Sequence, residues 1–273
     1  MSDSLKIGVI AGKGIYPETF IAAARKHEPN VELYVAGFHG ETFESLSSLA
    51  DGMQWFRVGQ LGKVIKYFRQ MGATRCIMIG QIAPRNLFDL VPDIRTMKML
   101  ARLKEKNADT LFKAVSEELE KDGIEVMNAT TYLDDSMATE GHICGPKVKG
   151  KYDADISYGF KIAKETSRLD IGQTVVVKDG TVLAVEAFEG TNACLKRGGE
   201  LGKGKGCVLA KVSKPDHDFR FDVPCLGSQT IENCAEAGIA VIACEAQKTL
   251  ILGKSEVFKL CDKLGVSIIG VSS

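Results

Sequence analysis

The chain has 273 residues, of which 45% are hydrophobic and 26% are charged, a composition typical of globular domains and unlike that of disordered or collagen-like chains. Lysine and arginine together number 35, as do aspartate and glutamate, so the net charge favours no nucleic-acid partner. The longest apolar runs are far shorter than the roughly 20 residues of a membrane-spanning helix. The start of the chain lacks the pattern of a secretory leader, and we therefore expect a cytoplasmic protein.

The first half of the chain alternates apolar runs of strand length with helical periodicity. Strands are predicted at residues 5–11, 31–36, 75–80 and 125–129, and helices at residues 17–27, 61–71, 94–104 and 110–121. This alternation predicts a parallel sheet covered by helices. Ligands of such sheets bind beyond the carboxyl ends of the strands, which draws attention to the loops after Ala11, Ala36 and Gly80.

The periodicity fades over residues 130–151, which are rich in glycine and aspartate. We interpret this stretch as an interdomain connection with a boundary near residue 140, giving domains at 1–139 and 140–273. The second half predicts a mixed α/β domain. It contains predicted helices at residues 153–168, 230–237 and 255–264, a hairpin of residues 173–178 and 182–187 turning at Asp179 and Gly180, and strands at residues 207–212, 239–244 and the end of the chain.

The eight cysteines and four histidines lack the spacing of metal sites. The sequence contains no C-x-x-C pair, no H-x-x-x-H and no H-E-x-x-H. We expect most of the cysteines to be buried thiols and no histidine-based metal site.

The first predicted strand is followed by Gly12, Gly14 and Pro17. Two glycines allow a backbone to approach a phosphate closely, and proline suits a first helical turn. Pro17 stands where a dinucleotide-binding fingerprint has its third glycine, and the next strand ends without an acidic residue, which disfavours NAD. The pattern fits an anion site and a plain tight turn equally well.

Residues 214–224 carry the most informative pattern. In an extended conformation, Asp216, Asp218, Arg220 and Asp222 share one face of a strand. Carboxylates are ligands of Mg²⁺, and arginine pairs well with a phosphoryl group. A solvated edge strand with surface ion pairs would show the same pattern.

A third pattern ends the predicted hairpin with Gly190, Thr191 and Asn192, just before a helical stretch. Thr191 or Asn192 can cap that helix. The first amide groups of the helix also favour an anion beyond the strand end, so capping and substrate binding are compatible.

Together these segments resemble the LpxI-type UDP-2,3-diacylglucosamine hydrolases of lipid A biosynthesis. The resemblance covers most of the chain and rests on Gly12, Gly14 and Pro17, on Gly80, Gln81 and Pro84, on Asp109, on residues 184–187 with Glu189, Gly190 and Thr191, and on Lys214, Pro215, Asp218, Arg220, Phe221, Asp222, Pro224, Gly227 and Thr230.

The resemblance implies an enzyme that uses Mg²⁺ to split the pyrophosphate of UDP-2,3-diacylglucosamine into UMP and 2,3-diacylglucosamine 1-phosphate. It also implies a Rossmann-like N-terminal domain, a family-specific C-terminal catalytic domain, a ligand in the crevice between them, and a homodimer. Since the substrate is amphiphilic, we expect an enzyme that is soluble or loosely peripheral on the inner membrane. The apolar residues 87–91 are one candidate contact for the acyl chains.

The resemblance further implies roles for individual residues. It places the family's essential aspartate at Asp222. We assign this catalytic residue to the metal, either as a direct ligand or as the group that orients the attacking water, and we expect Arg220 to be a second catalytic residue that faces the phosphates. Many relatives have aspartate where this chain has Asn192, which removes a possible metal ligand here. The implied substrate contacts are Gly12, Gly14, Gly80, Gln81, Gly190, Thr191, Asn192, Lys214 and Thr230.

Two alternatives remain open at this point. One is a nicotinamide-dependent oxidoreductase that uses Gly12 and Gly14. The other is a non-catalytic protein that binds a nucleotide sugar or a lipid, in which residues 216–222 form only a structural ion-pair strand.

Overall fold

The structure is a computed structural model that describes residues 4–81, 91–104, 108–148, 150–215, 218–220 and 223–272. The chain divides into two compact units. The first unit is Met1–Tyr132 with Phe219–Phe221, and the second unit is Leu133–Asp218 with Asp222–Ser273.

The first unit contains a five-stranded sheet in which every pairing is parallel. The strand order is β3-β2-β1-β4-β5, and the strands are β1 (Lys6–Ala11), β2 (Glu32–Phe38), β3 (Gly52–Phe56), β4 (Arg75–Ile79) and β5 (Glu125–Val126). Its helices are α1 (Tyr16–His27), α2 (Leu61–Met71), α3 (Ile94–Arg102) and α4 (Ala108–Glu120). The predicted parallel sheet with helices is therefore confirmed. The order reverses between β1 and β4, where the binding crevice of such sheets lies.

Helix α2 shows how the sequence specifies these elements. Leu61, Val64, Ile65 and Phe68 recur at helical spacing and are buried, so one face of the helix packs into the core. Gly72 ends the helix with a left-handed backbone at φ 75°, the conformation that glycine adopts without steric cost.

The second unit contains a six-stranded mixed sheet of order β6-β13-β11-β9-β7-β8. Its strands are β6 (Gly141–Cys144), β7 (Thr174–Lys178), β8 (Thr181–Val185), β9 (Cys207–Lys211), β11 (Ile239–Glu245) and β13 (Ser267–Val271), while β10 (Cys225–Leu226) and β12 (Leu250–Ile251) form a separate pair. Central strand β11 runs parallel to β9 and β13, and the outer pairings are antiparallel. The helices are α5 (Asp153–Arg168), α6 (Thr191–Leu201), α7 (Ser228–Glu236) and α8 (Lys254–Leu264).

The predicted hairpin is confirmed, since β7 and β8 pair around Asp179 and Gly180, both with positive φ. Seven of the eight cysteines are buried, also as predicted. Sequence analysis missed β3, β6 and the two-residue strands β10 and β12. Strand β6 lies inside the stretch interpreted as an interdomain connection, because an edge strand of four residues, two of them exposed, carries no long apolar run. The predicted strand at residues 125–129 is only the two residues of β5.

Within the ranges that the structure describes, no helix is both long and apolar enough to cross a membrane.

We expect Gly199→Ala in α6 to destabilise the second unit, although alanine has the better helix propensity by about 1 kcal/mol. A Cβ at Gly199 would lie 2.2 Å from the carbonyl oxygen of Ala237, and overpacking of this kind costs about 1–3 kcal/mol. Urea unfolding measures the change, with Lys259→Ala on the exposed face of α8 as a helical control expected to stay within about 0.5 kcal/mol of wild type. A Gly199→Ala protein as stable as wild type would contradict this packing.

Candidate functional site

The predicted binding loops of the first unit are joined to each other at the crevice between β1 and β4. The amide of Gly12 donates to the carbonyl of Ile79 (2.8 Å), and Lys13 and Gln81 exchange backbone hydrogen bonds of 2.8 and 3.0 Å. A Cβ on Gly12 would lie 2.6 Å from the carbonyl oxygen of Gln81, and a Cβ on Gly80 would lie 2.8 Å from the carbonyl carbon of Gly12. Close approach of the two turns is thus a structural reason for both glycines.

Gly14 differs from Gly12 and Gly80. It adopts φ +100°, and no described atom lies within 4 Å of the position that its Cβ would take. Helix α1 then begins after Ile15, an apolar N-cap residue, with Pro17 in its first turn. The backbone at Gly14 therefore has a conformation that favours glycine, and the space beside it is open. A ligand that contacts the backbone closely would require both features.

The segment that carries the aspartate–arginine pattern is only partly described. Phe219 and Arg220 lie in a turn, so the extended strand expected across this stretch is wrong at these two residues. The carbonyl of Phe219 accepts from the amide of Ala129 (2.8 Å), and Arg220 Nη1 lies 3.2 Å from Glu120 Oε1. These contacts, all within the first unit, fix the turn. Asp216, His217, Phe221 and Asp222 lie outside the described residues, as do Pro84 and residues 87–90.

The second unit contains a cavity of about 300 Å³ near the carboxyl end of β9. Glu186 follows β8, Lys211 is the last residue of β9, and Lys214 follows three residues later. Val223, the residue after Asp222 in the sequence, also lines the cavity. The remaining lining residues are Asp170, Ile171, Gly172, Gln173, Ala187, Pro224 and Cys225.

Thr191 connects the carboxylate and one of the lysines at this cavity. Its hydroxyl donates to Glu186 Oε1 (2.7 Å) and accepts from Lys211 Nζ (3.3 Å). The N-cap of α6 is Gly190 at φ 80°, so the expectation that Thr191 or Asn192 caps the helix is wrong. The Thr191 side chain is directed instead to the charged groups, because glycine supplies the positive φ that turns the chain into the helix.

Lys214 forms an ion pair with Asp170 at the same cavity. Its side chain is 23% exposed, whereas that of Asp170 is 58% exposed. Two lysines and two carboxylates thus line one small cavity, and the Thr191 hydroxyl is bonded to one residue of each kind.

Asn192 and Thr230 take part in other contacts. Asn192 Oδ1 accepts from Asn233 Nδ2 (3.0 Å) at a separate groove of about 610 Å³ between α6 and α7. Thr230 accepts from the amide of Gly227 (3.5 Å) in the first turn of α7. Neither residue is among those that line the cavity with Lys214.

A buried carboxylate lies beside the backbone that leads to Lys214. Glu245 is fully buried at the end of β11. Its Oε2 accepts from the amide (2.9 Å) and hydroxyl (2.7 Å) of Ser213, and its Oε1 accepts from Lys164 (2.6 Å) and Lys248 (2.8 Å). Burial raises the pKa of Glu245, but these lysine and serine hydrogen bonds outweigh it and hold the pKa at about 2.

Sequence analysis identified neither Lys211 nor Glu245. Each is a charged residue at the end of an apolar strand run, and this position is the signal that would have found them. The charged end of a buried strand lies where parallel sheets place their ligands.

The structure defines an α/β protein of two units, whose second unit carries a small cavity lined by two lysines and two carboxylates. The family model described as the LpxI N-terminal domain matches residues 6–136, and the LpxI C-terminal domain matches residues 139–269. The chain belongs to the LpxI family.

A curated relative is the UDP-2,3-diacylglucosamine pyrophosphatase LpxI of Caulobacter vibrioides, which is 35% identical over 78% of this chain and 80% of its own. Among solved structures, phosphoribosylglycinamide synthetase from Anaerococcus prevotii matches with 11% identity over 68% of this chain and 40% of its own, at a TM-score of 0.28. Glycosyl transferase family 9 from Veillonella parvula matches with 11% identity over 97% and 94%, at a TM-score of 0.25. These two structural likenesses are too weak to support a conclusion.

We expect Glu245→Gln to flatten the acid dependence of stability. Because the folded pKa of Glu245 lies near 2 and its ordinary value is 4.5, its contribution is complete above about pH 5 and is lost as the pH falls toward 2. The difference corresponds to about 3 kcal/mol. Urea unfolding between pH 5 and pH 3 measures the slope.

Glu165→Gln is the matched control for this experiment, because Glu165 pairs with Arg168 on the exposed surface of α5, where such pairs contribute little. It should keep the wild-type slope. An unchanged slope in Glu245→Gln would contradict the assigned interactions of Glu245.

Proposed function

We propose that this protein hydrolyses the pyrophosphate of UDP-2,3-diacylglucosamine to UMP and 2,3-diacylglucosamine 1-phosphate in lipid A biosynthesis. The observation that carries the proposal is the 35% identity, over 78% of the chain, to a relative named as this pyrophosphatase. The cavity lined by Lys211 and Lys214, with the Thr191 hydroxyl bonded to Lys211, supports it, since these groups suit a phosphate.

The reaction requires charge neutralisation above all. A phosphoanhydride resists attack by water because its negative oxygens repel the nucleophile, and fixed cations lower this barrier. In the proposed site, the ammonium groups of Lys211 and Lys214 face the phosphates, and the Thr191 hydroxyl donates to a phosphate oxygen after leaving Glu186. The Glu186 carboxylate then orients the attacking water.

Mg²⁺ is part of the proposal. The described residues contain no group of three or more histidine, cysteine, aspartate or glutamate side chains placed to hold a metal. Mg²⁺ usually takes only one or two carboxylates, with waters and substrate phosphates completing its shell, and Glu186 provides one such carboxylate. Asp222, which precedes the cavity residue Val223, is the proposed metal ligand and catalytic residue. When bound, the ion would neutralise charge on the phosphates.

The other predicted residues keep proposed roles, with Gly190, Asn192 and Thr230 as proposed substrate contacts. Arg220 is proposed to exchange its ion pair with Glu120 for a substrate phosphate. The loop of Gly12 and Gly14 and the linked turn of Gly80 and Gln81 are proposed to bind another part of the nucleotide sugar at the β1–β4 crevice. A homodimer and loose contact with the inner membrane complete the proposal.

We expect the purified protein to release UMP and lipid phosphate from UDP-2,3-diacylglucosamine with Mg²⁺, and to stop when EDTA is added, because charge neutralisation is lost. Chromatographic detection of both products measures turnover. Binding of NADH with an intact substrate would favour an oxidoreductase, whereas binding of the substrate without turnover would favour a non-catalytic protein.

We expect Asp222→Asn to reduce kcat by at least about 100-fold with an unchanged melting temperature, because the amide keeps the size of the side chain and loses its charge. Asp262→Asn, the same change on the exposed surface of α8, is the control and should stay within about threefold of wild type. Near-normal turnover by Asp222→Asn would remove Asp222 from the mechanism.

A further inference from the structure

Ser213 is held at every polar group that it has. Its amide and hydroxyl both donate to Glu245 Oε2, at 2.9 and 2.7 Å, and its carbonyl accepts from Lys164 Nζ at 3.3 Å. Ser213 and Glu245 are both fully buried. The backbone directly before Lys214 is therefore fixed from two neighbouring elements, β11 and α5.

Fixing a backbone with buried charges has a large desolvation free energy. Moving a carboxylate and an ammonium group out of water costs several kcal/mol for each ion, and well-packed apolar side chains often replace such pairs without loss of stability. Glu245, when ionised, accepts four hydrogen bonds. Hydrogen bonds are directional, so they orient the Ser213 amide and hydroxyl in a way that apolar packing does not.

The hydrogen bonds between Glu245 and Ser213 lie next to a group that the proposed reaction must position, the Lys214 side chain. Lys214 follows Ser213 directly and lines the cavity with Glu186 and Lys211. Its long side chain pairs with the mostly exposed Asp170, a contact that by itself positions the ammonium group weakly. The backbone of Ser213, which is fixed by Glu245, is directly bonded to Lys214 and so limits where this ammonium group can lie.

We infer that Glu245 is a positioning residue for Lys214, acting through Ser213 and supported by Lys164. This inference rests on the proposed function, because it assigns a purpose to the place of Lys214 at the cavity. Glu245 itself touches no substrate in this account.

The test is a double-mutant cycle between Glu245→Gln and Lys214→Met, measured as kcat and KM for UDP-2,3-diacylglucosamine. Glutamine keeps one acceptor oxygen but cannot hold Ser213 and both lysines together. Alone, Glu245→Gln should lower kcat/KM about 100-fold, the loss typical of a misplacement of about 1 Å. In the Lys214→Met background it should lower kcat/KM less than about threefold, because the group that it positions is gone. Equal losses in both backgrounds would overturn the inference.

Glu118→Gln is the matched control. Glu118 is a nearly buried carboxylate in the first unit that pairs with Arg95 and Lys121. Its replacement should lower the melting temperature without changing kcat at 25 °C. If Glu245→Gln fails to fold, Ser213→Ala replaces it in the cycle, since it removes only the hydroxyl contact. The same coupling with Lys214→Met is then expected, and additive losses would again overturn the inference.

A second measurement separates this inference from the proposed function. If the wild-type protein leaves UDP-2,3-diacylglucosamine intact, the proposed function fails, and amide hydrogen exchange then tests the hold on Ser213 directly. The Ser213 amide should exchange at least about tenfold faster in Glu245→Gln, while Glu118→Gln leaves it unchanged. An unchanged rate in Glu245→Gln would overturn the positioning role whether or not the enzyme is active.

Discussion

The arrangement of the second unit depends on the burial of one ionised carboxylate. Glu245 ends the central strand of the mixed sheet and receives hydrogen bonds from Ser213, Lys164 and Lys248. A buried charge is tolerated only with such partners, so the end of β11, the last turns of α5 at Lys164 and the chain after β9 constrain one another. Ser213, which Glu245 fixes, lies along the chain between the cavity residues Lys211 and Lys214.

The first unit is organised by a different constraint, the approach of two backbones. The turns after β1 and β4 exchange hydrogen bonds directly, and glycine at positions 12 and 80 leaves no side chain between them. A loop that serves this purpose and a loop that cradles a phosphate have the same sequence pattern, since both require the absence of Cβ. Gly14 distinguishes the two purposes. It has a positive φ but no described neighbouring backbone within 4 Å of its Cβ position, so close packing of the two turns does not explain this glycine.

Much of the fold follows from periodicity, and the failures have physical causes. Helix α2 and helix α5 have the predicted limits because a long amphipathic face is a strong signal. Strand β6 is missed because it has only four residues and lies at a sheet edge. The alternation around Arg220 predicts a strand, but contacts of Phe219 and Arg220 with distant residues fix a turn. The site was predictable at Lys214 through the family resemblance, whereas Lys211 and Glu245 depend on the pairing of strands distant in sequence.

The central claim is that the pyrophosphate reacts at the cavity of Glu186, Lys211 and Lys214. Steady-state kinetics of Lys211→Met, compared with Lys263→Met on the exposed surface of α8, tests it most directly. The account predicts that Lys211→Met lowers kcat/KM at least about 100-fold, because a fixed cation is lost at the phosphates. It predicts that Lys263→Met stays within about twofold of wild type, as an exposed substitution outside the cavity should. Full activity of Lys211→Met, or a large loss in Lys263→Met alone, would contradict the account.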